Sequence, residues 1–414
     1  MHVPDFDLPL FTNLLILLVV SRLFGEVFER MRQPAMIGEI LAGILLGPSV
    51  LDIIHRTEAI QVISELGIFL LVIIAGLEIN IDDILKSLKG KNIIISLMAF
   101  FLPIASGLAV GYFFGLDAMT TTFIGLCVAI TALPVSIRIL MDLGMIHSDV
   151  GQKIITVAIF DDILALTILG VLLNIKDTDM SFWAITKAAS ISFLKLNIFI
   201  IILIGAYYLL KRFSKTENFI EHKLNQLLSV MRGKEALFAL FFAFILIFST
   251  VTETLGFHFI IGAFFGALLI HEKVIGKNNL QTIEKTTNSL AMGLLAPVFF
   301  AGIGLEFSIS SIQNYGLLIA VLAVSYLSKI IGGYAGGRFA GFSGKFSFTI
   351  AIGLNARGIM ELVIANIAYK AGIISSEVFS ILVIMGVLTT LTTPLILKRS
   401  YNAYARSKLP DAAP

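Results

Sequence analysis

Residues 157–168 read VAIFDDILALTI. Two adjacent carboxylates, Asp161 and Asp162, stand in a run that is otherwise apolar but for Thr167. A charge at the centre of a bilayer costs roughly 2.5–3.5 kcal/mol on the insertion scale, so such groups seldom persist without a task. Neighbouring helix positions point ~100° apart. One carboxylate can therefore face a water-filled cavity while the other faces a neighbouring helix. Burial and mutual repulsion let such a carboxyl bind and release protons near neutral pH. Ionised, it is a hard oxygen ligand that suits hard cations. A group that holds either a proton or a cation, never both, is the minimum part of an exchanger.

Other polar groups interrupt apolar runs in the same way. Lys329 lies in SYLSKIIGG and needs an anionic partner or must give up its proton. An aspartate of the 161–162 pair is the obvious candidate, whether for transport or as a structural ion pair between two helices. AITALPVSIRI, 129–139, carries Pro134, which removes a backbone donor, with the Thr131 hydroxyl beside the expected break. GLNARGIMELVI, 353–364, carries Gly353, Asn355, Arg357 and Gly358, poor choices for a lipid-exposed helix. Arg357 and Glu361 are one helical turn apart and can pair directly, to neutralise a broken helix or to serve transport. Glu78 and Glu306 end their helices and read as interfacial. Glu39 is placed more deeply and has no evident role. Arg22, His258 and His271 read as snorkelling or interfacial groups, and His147 as a solvated loop residue.

These runs must be positioned by helices in a membrane. The chain has 414 residues, 57% hydrophobic and 14% charged, with a mean hydropathy of +0.95. A soluble domain cannot hide so much apolar side chain. Runs of about twenty apolar residues, the length that crosses a ~30 Å hydrocarbon core, recur from end to end. The expected fold is an all-α polytopic membrane protein of about thirteen transmembrane helices. They fall near 9–29, 34–48, 58–79, 92–115, 118–140, 150–174, 190–211, 234–254, 256–271, 287–306, 314–338, 346–370 and 376–397. Residues 181–190, with Trp183 and Lys187, suit an interfacial approach to the seventh. The first ten residues contain Asp5 and Asp7 and no basic residue, so the first apolar run reads as a retained helix. Cys127 is the single cysteine, which excludes a disulfide framework and a thiolate metal site.

With Arg22, Lys329 and Arg357 set apart as lying within spans, only Arg56, Lys176, Lys187, Lys195 and Lys370 fall on or toward one side of this arrangement. The other loop Lys and Arg residues fall on the opposite side. The positive-inside rule then puts the N-terminus outside and the C-terminus in the cytoplasm. The longest polar stretch, 211–234, reads as a cytoplasmic loop or surface helix, and only sixteen residues follow Lys398.

The chain also repeats itself. IGEILAGILLG at 37–47 resembles IGAFFGALLIH at 261–271, and AGLEI at 75–79 resembles IGLEF at 303–307. Each partner lies seven helices further along. Seven is odd, so the two copies enter the membrane in opposite directions, the inverted repeat of many secondary transporters. The two expected broken helices, around Pro134 and around Asn355, also differ by seven. If they cross, half-helix ends meet at mid-membrane and their partial charges need partners. There is no Walker A sequence, no TVGYG-like filter and no His/Cys cluster, which argues against an ATP-driven pump, a K⁺-channel pore and a metal enzyme.

In combination IGEILAGILLGPSVL (37–51), LVIIAGLEINID (71–82), FDD (160–162), PVFFAGIGLEF (297–307), Lys329 and GLNARGIMELVI (353–364) resemble the monovalent cation:proton antiporter superfamily. The likeness is to the branch with bacterial Na⁺/H⁺ antiporters, the membrane domains of glutathione-gated K⁺ efflux systems and plant cation/H⁺ exchangers, and it covers essentially all thirteen spans. The resemblance implies two crossing broken helices in a core of about 92–174 and 314–397. It implies a dimerisation scaffold of about 9–79 and 234–306, with 175–233 as linker, and elevator-like alternating access in a homodimer. It implies Asp162 as shared cation and proton site with Thr131 beside it, and Asp161 as partner of Lys329. Pro134, Asn355, Arg357 and Glu361 would support the broken helices. The two-aspartate pattern implies electrogenic exchange of two protons per cation. The K⁺ efflux relatives carry a C-terminal nucleotide-binding domain, for which this sequence has no counterpart.

The expected function is exchange of cytoplasmic Na⁺, or K⁺ or Li⁺, for external H⁺ across the cell membrane. No enzyme activity, cofactor or nucleic-acid partner is expected; the bilayer, monovalent cations and protons are the partners. A K⁺-selective efflux antiporter, a gated cation channel and a non-transporting ion sensor are the alternatives.

Overall fold

The computed structural model describes residues 9–31, 33–55, 57–79, 91–146, 148–175, 182–214, 226 and 235–406. Among these the regular structure is helical, with no strand. In chain order, α1 is Leu10–Arg30, α2 Ala35–Leu46, α3 Glu58–Glu78, α4 Lys91–Phe113, α5 Ala118–Ala129 and α6 Leu133–Asp142. Next come α7 Asp149–Ile175, α8 Phe182–Ser214, α9 Ala236–Thr254, α10 Phe259–Leu268, α11 Glu272–Ile275 and α12 Lys277–Leu290. A π-turn, Ala291–Leu295, joins α12 to α13 Ala296–Glu306, and α14 Tyr315–Phe339, α15 Gly344–Gly353, α16 Ile359–Lys370 and α17 Ser376–Arg406 follow. Each of the thirteen expected spans is matched by a helix, and the fifth and twelfth by two half-helices.

Four boundaries differ from expectation, each for a physical reason. The fifth span breaks at residues 130–132, before Pro134, which lies in the first turn of α6. Proline lacks an N–H that a first turn would leave unpaired anyway, so it starts a helix more readily than it interrupts one. The tenth span begins at Lys277, because KNNLQTIEKTTNSL is helical but too polar for hydropathy to detect. The last helix runs to Arg406, beyond the apolar segment. The expected interfacial approach at 181–190 is instead the start of the continuous helix α8; Lys187 is exposed there, and the side chain of Trp183 lies outside the described residues. So do His147 and nearly all of the 211–234 loop.

The helices divide into two compact units. The first contains residues 1–65, 84–165 and 296–414; the second contains 66–83 and 166–295. In the first, Leu17, Leu46, Ile54, Ile60, Val298, Ala301 and Leu305 form one core cluster. There α2 meets α13 backbone to backbone. A Cβ on Gly43 would lie 2.0 Å from the Ala301 carbonyl oxygen, and one on Gly304 2.2 Å from that of Ile40. In the second unit, α3 and α9 to α12 share a core around Phe69, Ile73, Ile245, Ala263 and Ala267. Within it α3 meets α10 equally closely, a Cβ on Gly76 falling 2.5 Å from the Phe264 carbonyl oxygen. The 37–47 segment thus packs on the 303–307 segment, and the 261–271 segment packs on the 75–79 segment. Each segment of the first matching pair thus packs on one segment of the second.

Candidate functional site

The site lies in the first unit, where α5/α6 and α15/α16 meet. At the first break, Ile130, Thr131 and Ala132 leave the helical conformation; at the second, the chain leaves it between Leu354 and Gly358. The two breaks are bonded to each other. The Ala132 N–H donates to the Ala356 carbonyl at 2.9 Å. The Thr131 hydroxyl donates to the Leu354 carbonyl at 3.0 Å. Gly358 makes the crossing possible, because a Cβ there would lie 2.5 Å from a methyl of Val135 on α6 and 3.2 Å from the Met36 methyl of α2.

A helix end leaves its last carbonyls without partners and carries a partial negative charge. At α5 two cations meet this demand. Arg357, wholly buried, donates from Nη1 to the Cys127 carbonyl and from Nη2 to the Val128 carbonyl, both at 2.6 Å. Nη2 also reaches the Ser325 carbonyl of α14 at 3.1 Å. The Lys329 ammonium donates to the Ala129 carbonyl and to Asp161 Oδ2 at 2.7 Å. Lys329, Asp161 and Asp162 have no exposed surface. Thr390 of α17, which the sequence reading did not single out, fixes the second break by donating to the Arg357 carbonyl at 2.6 Å. Asn355 turns back on its own half-helix, donating to the Ala351 carbonyl at 3.2 Å.

The structure therefore brings together Asp161, Asp162, Lys329, Thr131 and Arg357. Of Pro134 only its place in the first turn of α6 is described. The expected Arg357–Glu361 ion pair is not made. Arg357 is turned to the carbonyls of α5, and both Glu361 oxygens lack a hydrogen-bond partner. The i, i+4 spacing suggested the pair, but residue 357 lies in the break rather than on α16. The carbonyls of residues 127–129 were invisible to side-chain reasoning, since any sequence supplies them. Elsewhere Arg22 does not simply snorkel: its Nη1 lies 3.7 Å from Oε1 of the buried Glu39. Glu306 accepts from Asn366 at 3.1 Å, and Lys370 pairs with Glu65 at 3.1 Å. At the start of α5, Asp117 caps the Met119 and Thr120 N–H groups at 3.0 and 2.9 Å. Burial there works against its charge, but the hydrogen bonds from Thr120 and Met119 outweigh it and hold the carboxyl below its usual range.

Two crossed half-helix pairs, a buried carboxylate pair and a lysine in contact with it form a charge-balanced centre in an apolar chain. Over residues 14–399 the sequence matches the family described as sodium/hydrogen exchanger, transmembrane. The chain belongs to that family. It is 28% identical over 396 residues to the Na(+)/H(+)-K(+) antiporter GerN of Bacillus cereus, covering 95% of this chain and 96% of the relative. It is 28% identical over 390 residues to a Na(+)/H(+) antiporter of Enterococcus hirae, covering 94% and 97%. Its fold resembles that of the sodium proton antiporter MjNhaP1 of Methanocaldococcus jannaschii, with a TM-score of 0.68 at 17% identity, covering 96% of this chain and 98% of that one. The protein is thus a multi-pass membrane cation/proton antiporter of the monovalent cation:proton antiporter superfamily, a transporter rather than an enzyme.

Proposed function

We propose that this sodium/hydrogen exchanger relative trades a cytoplasmic monovalent cation for external protons at Asp162. The observation that carries this is the wholly buried Asp161–Lys329 contact with Asp162 next along α7. Asp161 is paired with a cation of the protein itself, and Asp162 stands beside it on α7 as the carboxylate for cargo. Thr131, in the first break, supplies a neutral hydroxyl oxygen near the same centre, the donor type that hard cations prefer. A proton on Asp162 removes the charge that attracts the cation, so the two compete for one group.

Na⁺ is the proposed cargo, with K⁺ and Li⁺ to be tested beside it because one relative carries K⁺ in its name. Two protons per cation would move net charge, coupling the cycle to the membrane potential at ~2.3 kcal/mol per charge per 100 mV. We assign the protein to the cell membrane as a homodimer, N-terminus outside and C-terminus in the cytoplasm, working by elevator-like movement of the core and serving pH homeostasis. The cross-seated packing of the two repeats supports an inverted-repeat construction of the kind used for alternating access. The test is purified protein in liposomes with a trapped pH-sensitive dye and an imposed proton gradient. Adding Na⁺, K⁺ or Li⁺ should drive proton movement that Asp162→Asn abolishes. Cation flux without proton movement would overturn the antiporter mechanism in favour of a channel.

A further inference from the structure

Glu361 is a third buried carboxyl near the crossing, and the exchange site does not use it. It lies in the first turn of α16 with no exposed surface, and neither oxygen has a hydrogen-bond partner. The groups around it are few. Both oxygens lie 3.6 Å from the position a Cβ on Gly386 of α17 would take. Further along α17, the Thr389 hydroxyl is directed to the Met385 and Gly386 carbonyls. From α5 the titratable group facing it is the Cys127 thiol. The cation whose field reaches it is Arg357, which Tyr326 and Asp161 also influence.

An ionised carboxylate without a single donor is not tolerated in an apolar interior, whereas a neutral one costs far less. With no donor on either oxygen, the observed geometry favours the neutral acid. Arg357 has one group left over as well, since its Nε–H donates to nothing. A carboxyl and a guanidinium four residues apart thus hold complementary groups in reserve. As seen they are not paired, so for them to close on each other one of the two side chains must move, and Arg357 is tied to the Cys127 and Val128 carbonyls.

We propose that Glu361 is a proton-dependent positioning residue that governs how firmly Arg357 holds the end of α5. When Glu361 is protonated, Arg357 caps α5 as seen, and Ala129 is held for Lys329 and Asp161. When the O–H bond breaks and the proton leaves to water, the carboxylate accepts from Arg357 and the α5 end loosens. Proton occupancy outside the cargo site would then tune the cargo site. This inference rests on the antiporter reading of the Asp161–Asp162 centre.

The test compares the pH profile of Na⁺-driven proton movement in liposomes for wild type, Glu361→Gln and Glu361→Asp. Gln is locked neutral, so the pH of half-maximal rate should shift by about half a pH unit or more and the profile should become shallower, whereas Asp should restore the wild-type steepness. A Glu361→Gln profile that superimposes on wild type would overturn the proposal. A second readout needs no transport. Infrared pH-difference spectra of purified wild type should contain a protonated-carboxyl band that disappears as pH rises and is displaced in Glu361→Asp. No such band would overturn the proposal even if Glu361→Gln fails to fold. If wild-type liposomes show no proton movement, the antiporter reading falls, while the infrared spectra still decide whether Glu361 titrates.

Discussion

Replacing Lys329 with Met exposes the electrostatics of the site in one step. Lys329 has no exposed surface, lies 2.7 Å from Asp161 Oδ2 and also serves the Ala129 carbonyl. Removing one partner of a buried ion pair costs about 3–5 kcal/mol, because the remaining charge is left uncompensated. Losing the ammonium at Ala129 adds about 1–3 kcal/mol for an unsatisfied buried carbonyl. The cost falls on both folding and site geometry. At roughly 2 °C of Tm per kcal/mol for a large chain, Lys329→Met should lower the melting temperature of the detergent-purified protein by roughly 8–16 °C. The double variant Asp161→Leu/Lys329→Met leaves no buried charge from this pair, and replacing a buried pair by apolar groups is often nearly neutral. It should recover most of the 3–5 kcal/mol and lose only the carbonyl contribution. Fluorescence-detected gel filtration after heating reads both. If the double variant melts no higher than Lys329→Met, the two charges do not compensate each other and the reasoning fails.

Other perturbations test other joints of the structure. Thr131→Val should weaken the bond between the two breaks by about 0.5–1.5 kcal/mol, the usual worth of one hydrogen bond, with transport falling more than the melting temperature; an unchanged rate would remove Thr131 from the site. Gly43→Ala places a Cβ against the Ala301 carbonyl and Gly76→Ala one against the Phe264 carbonyl. Each should cost about 1–3 kcal/mol in thermal melts, as overpacking does, and comparable losses at both are what cross-seated repeats require. Asp117 makes its contribution to the α5 cap in its charged form, held below the usual carboxylate range. That stability is present above the ordinary carboxylate pKa and is lost as pH falls through the folded-state value. Asp117→Ala should therefore cost about 1 kcal/mol near neutral pH and flatten the acid side of the stability profile.

Much of this architecture is written in hydropathy. Twenty-residue apolar runs gave the spans, and Asp161, Asp162 and Lys329 stood out because charge is expensive where they lie. What stayed hidden has common physical causes. KNNLQTIEKTTNSL is helical without being apolar, so no membrane scale finds the start of α12. Pro134 signalled a break but not its side, because a proline tolerates the start of a helix better than its middle. Arg357 was assigned to Glu361 by spacing, whereas the carbonyls ending α5 claim it. A helix end's demand for donors depends on where the helix stops and which chain crosses it, and neither is a property of one residue. Thr390 was one threonine among several in TTLTTP until the second break was seen to need a donor.

Exchange at this site requires that one carboxylate hold either a cation or a proton. The most direct measurement is proton release on cation binding by purified protein in weakly buffered detergent solution, with a pH indicator as readout. Adding Na⁺, or K⁺ if that is the cargo, should release protons from wild type in proportion to the cation bound. Asp162→Asn should release none. Cation binding by wild type without proton release, or undiminished release from Asp162→Asn, would contradict the account.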